Sequence, residues 1–177
     1  MIFLSKSCWS QLIVITITIS LLSCNTSENI STPEKIGSKK RSNLIVGEDA
    51  IKDIDKLHGL AVAAQNNVIA EYGEDERDLL YLSFYQNKID ADKAFFEMVK
   101  KIAHSKKSPF SHLMPIAGSG RNAFFLMGMG ASHYVFLSGH HIIWLQTYQS
   151  FDLEIPISLS ELYPVDSESA NRLPDES

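Results

Sequence analysis

Ser132–Tyr148 reads SHYVFLSGHHIIWLQTY, and this stretch decides the fold. Residues 132–137 and 140–148 are dense in β-branched and aromatic side chains. Ser138-Gly139 separates them, and a glycine that reaches positive φ is the usual requirement of a two-residue hairpin. With Ser138-Gly139 as the loop, Leu137 pairs with His140, Val135 with Ile142 and His133 with Trp144. One face then carries His133, Val135, Leu137, His140, Ile142 and Trp144. The other carries Tyr134, Phe136, His141, Ile143 and Leu145. Both faces are apolar near the middle, so the expectation is a helix over one face and partial cover on the other.

Further strands precede the hairpin. Asn122–Met127 (NAFFLM) follows the turn-like Gly118-Ser119-Gly120-Arg121, and His112–Ala117 is a weaker candidate. Leu79–Gln86 (LLYLSFYQ) is a strong one, and Val68–Tyr72 ends at Gly73 ahead of a polar turn, Glu74–Asp78. Two helices stand out. In Asp90–His104 the residues Ala91, Ala94, Phe95, Met98, Val99 and Ile102 form one apolar stripe, and Asp90 is a candidate N-cap. Gly47–His58 repeats the pattern with Ala50, Ile51, Ile54 and Leu57. A short helix is expected at Ser158–Leu162, capped by Ser158 or Ser160. The fold class expected is α+β: an antiparallel sheet of about five strands with helices packed mainly on one face.

The N-terminus has a different character. Lys6 is the sole charge of residues 1–23, and Leu12–Leu22 (LIVITITISLL) is an uncharged run. Its length suits the apolar region of a signal peptide and falls short of a bilayer span. It ends in Leu21-Leu22-Ser23-Cys24, which resembles the lipobox of bacterial lipoproteins. That resemblance implies cleavage by a type II signal peptidase between Ser23 and Cys24, a diacylglyceryl group on the Cys24 thiol and fatty acylation (palmitate) of the new α-amine. Cleavage removes Cys8, so the mature chain keeps one cysteine and forms no internal disulfide. Several acyl chains give stable anchoring. The resemblance further implies a cell-envelope location on a bacterial membrane. Asn25 is not the aspartate that retains lipoproteins at an inner membrane. In a diderm the expected site is the periplasmic face of the outer membrane, and in a monoderm the outer face of the plasma membrane.

The domains expected are therefore a signal peptide over 1–23, the lipidated cysteine with a flexible linker over 24–47, one α+β domain over 48–164 and a disordered acidic tail over 165–177. The linker is rich in Ser, Thr, Asn and Lys, a composition unable to bury enough surface to offset chain entropy. About 20 such residues span roughly 25 Å, enough to hold a domain clear of the headgroups. Lys39-Lys40-Arg41 is its basic cluster and reads as solvated linker charge. The chain carries a net charge of −5, and removing Lys6 takes it to −6, a balance that argues against nucleic-acid binding.

Signals for chemistry are thin. Six histidines occur: His58, His104, His112, His133, His140 and His141. No HxH or HExxH is present, and no mature cysteine is free to ligate, so no metal and no cofactor is expected. His140 and His141 are neighbours in the expected strand and would point to opposite faces. Gly118-Ser119-Gly120 does not continue into GxGxxG, and no GxSxG or SxxK marks a nucleophile. The acidic turn Asp75, Glu76, Asp78 lacks the order of a calcium loop. The abundant aromatics fill a core or form a partly exposed gripping surface. The preferred expectation is a non-catalytic envelope lipoprotein. It is held to the membrane through lipid on Cys24, and its domain binds a protein partner or an apolar ligand. The alternative is a cryptic envelope hydrolase or metal-binding protein using His133 or His112.

Overall fold

The computed structural model describes residues 31–58, 64, 66–119, 121–148 and 154–166. Ser23 and Cys24, with the signal peptide, the first part of the linker and 167–177 of the tail, lie outside the described residues.

The hairpin forms, with its turn displaced. β7 (Ala131–Ser138) and β8 (His141–Thr147) close on the pair Ser138↔His141, so the loop is Gly139-His140. Gly139 has φ +56, and His140 is not among the positive-φ residues. Glycine therefore occupies the first loop position, the place a type II′ turn requires. A Ser138-Gly139 loop of the other favoured hairpin type would force positive φ on serine. The register moves by two: Leu137 meets Ile142, Val135 meets Trp144 and His133 meets Gln146. An even shift keeps every side chain on its expected face, because strand periodicity is two. His140 leaves the strand for the turn, and Tyr148 falls just past its end.

The sheet has eight strands rather than about five. Their order is β1 (Lys35–Ile36), β2 (Lys39–Val46), β3 (Asn66–Tyr72), β4 (Asp78–Phe84), β8, β7, β6 (Ala123–Gly128), β5 (Phe110–Pro115), and every pairing is antiparallel. It curls into a half-barrel. The two strands without a counterpart among the sequence candidates, β1 and β2, come from the segment assigned to a flexible linker. Composition misled because β2 (KKRSNLIV) is polar, yet its long side chains find partners inside the unit. Lys39 Nζ donates to Asp78 Oδ1 at 3.0 Å and to the Glu76 carbonyl at 2.6 Å. Arg41 Nη1 donates to the Thr32 carbonyl at 2.9 Å and to Thr32 Oγ1. Tyr72 Oη donates to the Pro33 carbonyl at 2.8 Å, and Tyr163 Oη to the Ser31 carbonyl at 2.6 Å. Burial pushes the Tyr72 hydroxyl up to about 12 against the opposing pull of Arg41, so it remains a donor. Two of the three basic residues read as solvated linker charge thus serve internal contacts.

Three helices accompany the sheet: α1 (Glu48–His58), α2 (Lys88–His104) and α3 (Glu154–Leu162). In α2 the N-cap is Asn87, whose Oδ1 accepts the Asp90 N–H at 2.9 Å, so Asp90 lies inside the first turn. Ser158 and Ser160 do not cap α3; their hydroxyls donate back to the carbonyls of Ile155 and Ile157.

Register sets the packing. Ile45, Ile69, Tyr81, Trp144, Val135 and Phe124 are successive cross-strand partners and share one face. Ala50 and Ile54 of α1 pack over its β2–β3 end. Ala91 and Phe95 of α2 pack over Leu126, Val135, Leu137 and Ile142. The opposite face is buried as well, through Val68, Ala70, Tyr72, Leu80, Leu82, Tyr134, Phe136, Ile143 and Leu145. Buried Ile155 of α3 meets the β1–β2 turn at Gly37. The expectation of a sheet of about five strands covered mainly on one face fails on both counts: the sheet has eight strands, and it is buried on both faces.

Asp78 is fully buried, so its partner has weight. Lys39→Met leaves a buried carboxylate without its cation and is expected to cost about 3 kcal/mol. Lys40→Met, on an exposed side chain, changes stability by less than about 0.5 kcal/mol. Urea denaturation of the two variants checks the contrast, which a flexible linker would not show.

Candidate functional site

One edge of the sheet gathers the features with functional potential. The β6–β7 loop is Met129-Gly130, with φ +52 and +77, so both residues are left-handed as a type I′ turn requires. Glycine takes this conformation freely, whereas methionine does so under strain. The start of β5 lies against Gly128. A Cβ on Gly128 would stand 2.6 Å from both Phe110 Cδ1 and the Pro109 carbonyl oxygen, so no larger residue fits. This close approach lets the Phe110 ring pack at 5.0 Å from His133 and 5.3 Å from Trp144, centroid to centroid.

His133 is locked within this cluster. Trp144 Nε1 donates to His133 Nδ1 at 3.0 Å, and His133 Nε2 lies 3.0 Å from the Gly128 carbonyl. An indole N–H only donates and a carbonyl only accepts. The ring is therefore neutral, with its proton on Nε2. Burial pushes the His133 pKa below its usual value, and the Gly128 carbonyl opposes that shift. Both nitrogens are occupied, so His133 has no lone pair for a metal or a catalytic proton transfer in this arrangement. His112 lies exposed on β5 with φ +55, and its Nδ1 meets the neighbouring Ser111 Oγ at 2.9 Å. A nucleophile–base pair also needs a third group to orient the base, and no carboxylate is bonded to His112. Among the described residues no group of three or more His, Cys, Asp or Glu converges as a metal site.

The remaining candidates separate. His140 and His141 do not point to opposite faces: with His140 in the turn, their rings lie 4.0 Å apart, and Phe84 packs edge-on to His141 at 4.6 Å. In the Gly118–Asn122 segment, Ser119 Oγ donates to the Ile116 carbonyl at 2.6 Å and Ser119 O accepts the Asn122 N–H at 3.2 Å, closing a turn. His104 caps its own helix through the Lys100 carbonyl.

At the same end of the sheet lies an open cleft of about 360 Å³, lined by Ser111, Met127, Gly128, Gly130, Ala131, Ser132 and Tyr148; its Ser111, Met127 and Ser132 share the face opposite His133. Exposed Met127 lines this cleft, exposed Met129 sits between its lining residues Gly128 and Gly130, and Tyr148 is 43% exposed. Six of the fourteen described aromatics, Tyr72, Phe84, Phe95, Phe125, Tyr134 and Phe136, are buried, and among the described residues Tyr148 alone is an exposed aromatic. The gripping surface weighed as the alternative to core filling is carried at this corner by exposed methionine beside Tyr148 rather than by an aromatic cluster. Methionine suits such surfaces because it is flexible and polarizable. The sequence signal for it was the run Met127-Gly128-Met129-Gly130, which reads equally well as a turn.

Comparison with family models, with curated proteins and with solved structures finds no match for this chain.

Two outcomes test the lock. Gly128→Ala expels Phe110 and is expected to lose about 1–3 kcal/mol, the range of overpacking, with a change in Trp144 fluorescence. The second concerns acid. An unfolded histidine takes up a proton near pH 6.5 while folded His133 stays neutral to lower pH. Its contribution is complete above that value and is lost as pH falls toward the folded pKa, with a slope of up to about 1.4 kcal/mol per pH unit. His133→Gln, which keeps an acceptor and a donor without titrating, is expected to flatten this part of the stability–pH curve.

Proposed function

We propose that this chain is a lipid-anchored protein of a bacterial cell envelope, a lipoprotein cleaved between Ser23 and Cys24. Its domain is non-catalytic and binds a protein partner or an apolar ligand at the methionine cleft. The Leu21-Leu22-Ser23-Cys24 motif supports the anchor. The observation that carries the binding reading is the open cleft lined by half-exposed Met127 and Tyr148, with exposed Met129 in the adjoining turn. Concave sites that combine exposed apolar side chains with a few polar groups are where proteins take ligands. The hydrolase or metal alternative has less support, because both nitrogens of His133 are engaged.

The tether is shorter than composition suggested. Residues 25–30 separate Cys24 from Ser31, whose carbonyl already accepts the Tyr163 hydroxyl. At most about 3.6 Å per residue, they reach roughly 20 Å, so an anchor at Cys24 keeps the domain near the headgroups. No helix among the described residues is long and apolar enough to cross a membrane.

Intact-mass analysis of the membrane-fraction protein tests the anchor. The expected chain begins at Cys24 with added acyl mass, and Cys24→Ala abolishes both; an unmodified chain contradicts the reading. For the cleft, the neutral dye N-phenyl-1-naphthylamine is the probe. Met127→Asp with Met129→Asp is expected to weaken its binding at least about tenfold with the fold intact, since about 1.4 kcal/mol of lost apolar contact is tenfold in affinity.

A further inference from the structure

The cleft end of the sheet carries charge of both signs, arranged on either side of the apolar centre. The β3–β4 turn presents Glu74, Asp75 and Glu76, all exposed. The end of α2 and the loop into β5 present Lys100, Lys101, Lys106 and Lys107, also exposed. None of these seven has an ion-pair partner among the described residues. Arg77, beside the acidic turn, is engaged by Glu71 at 2.6 Å and does not offset it.

The register places both blocks at one edge. Tyr72 pairs with Asp78, and the Tyr148 N–H reaches Asp78 Oδ1 at 3.3 Å. Thr147 pairs with Ser132, Ser132 with Met127, and Met127 with Ser111. The acidic turn lies just beyond the first of these pairs and the basic loop just before the last strand. Four inter-strand steps from β4 to β5, at about 4.8 Å each, put them roughly 19 Å apart along the sheet, with Met127, Met129 and Tyr148 between.

We propose that this edge is a self-pairing surface. Two copies of the chain associate about a twofold axis through the methionine centre, the acidic turn of each meeting the basic loop of the other. The inference rests on the cleft being a binding site and names its partner. A twofold interface must be complementary to itself, and an apolar centre flanked by opposite charges meets that condition. An anionic membrane would be repelled by Glu74–Glu76, a cationic partner by the lysines, and a small apolar ligand would leave both charge blocks unused. Strand addition along β5 is blocked, because the strand shifts register between Ser111 and Met114, holds His112 at φ +55 and ends in Pro115. The contact is therefore end to end, through loops.

The test uses the full chain from the membrane fraction, as an equal mixture of light- and heavy-nitrogen protein, treated with a carbodiimide that joins lysine to carboxylate without a spacer. Mixed-isotope peptides linking residues 100–107 to residues 74–76 are expected. Lys106→Glu/Lys107→Glu and Glu74→Lys/Glu76→Lys are each expected to lose the crosslinked pair by at least about tenfold, and mixing the two variants to restore it. Raising the salt is expected to weaken pairing, since exposed charges are screened beyond about 8 Å at physiological ionic strength. Single-isotope links alone, or no rescue on mixing, overturn the proposal. So does a monomeric chain that pellets with anionic vesicles only when Lys106 and Lys107 are present, which assigns the basic loop to lipid. A monomer that still binds the dye at Met127 overturns self-pairing and leaves the cleft reading standing; loss of dye binding as well removes both.

Discussion

The pairing of β4 with β8 is the constraint on which the rest of the structure depends. Leu79↔Gln146 through Phe84↔His141 is the seam between two runs of consecutive strands, β1–β4 and β5–β8. Without it the chain has two smaller sheets, each with an open central edge. With it, Tyr81 and Trp144 become neighbours, and one apolar row crosses from β2 to β6. The seam joins residues 57 to 67 positions apart in sequence. Its formation must await closure of a long loop, so slow folding dominated by non-local contacts is the physical consequence.

The same seam positions the functional corner. β8 carries Trp144 on one face, and Trp144 reaches diagonally to His133 on β7. His133 in turn holds the Gly128 carbonyl, and Gly128 makes room for Phe110. The links are directional, and together they fix Gly128, which lines the cleft beside exposed Met127. Rigid backing with adaptable lining is the arrangement that a binding surface needs.

Much of the fold could be read from residues whose pattern is local. The stripe of α2, the alternation of β4 and the aromatic density of β7 and β8 all fall where their periodicity put them. The failures beyond the hairpin turn share a cause: partners on other elements of the fold. β2 looks like linker until Lys39 meets Asp78 and Arg41 meets Thr32. The hairpin turn moved because Gly139 suits the first loop position better than the second. His133 could be weighed as a ligand from sequence because nothing local reveals that Trp144 occupies Nδ1. The cleft was less legible still. Met127 and Met129 flank glycines that read as turn residues, and only the approach of Phe110 to Gly128 shows what the turn supports. For the anchor the position is reversed: Leu21-Leu22-Ser23-Cys24 is a purely local signal, and the lipoprotein reading stands on it.

The most direct measurement of the account is the imidazole nitrogen spectrum of His133 in labelled protein at neutral pH. The account predicts one fixed tautomer, with the proton on Nε2 and a bare Nδ1 that shows hydrogen-bond coupling to the Trp144 indole N–H. A proton on Nδ1, or a spectrum averaged by exchange with solvent, would contradict the register of β7 on β8 and the cleft built upon it.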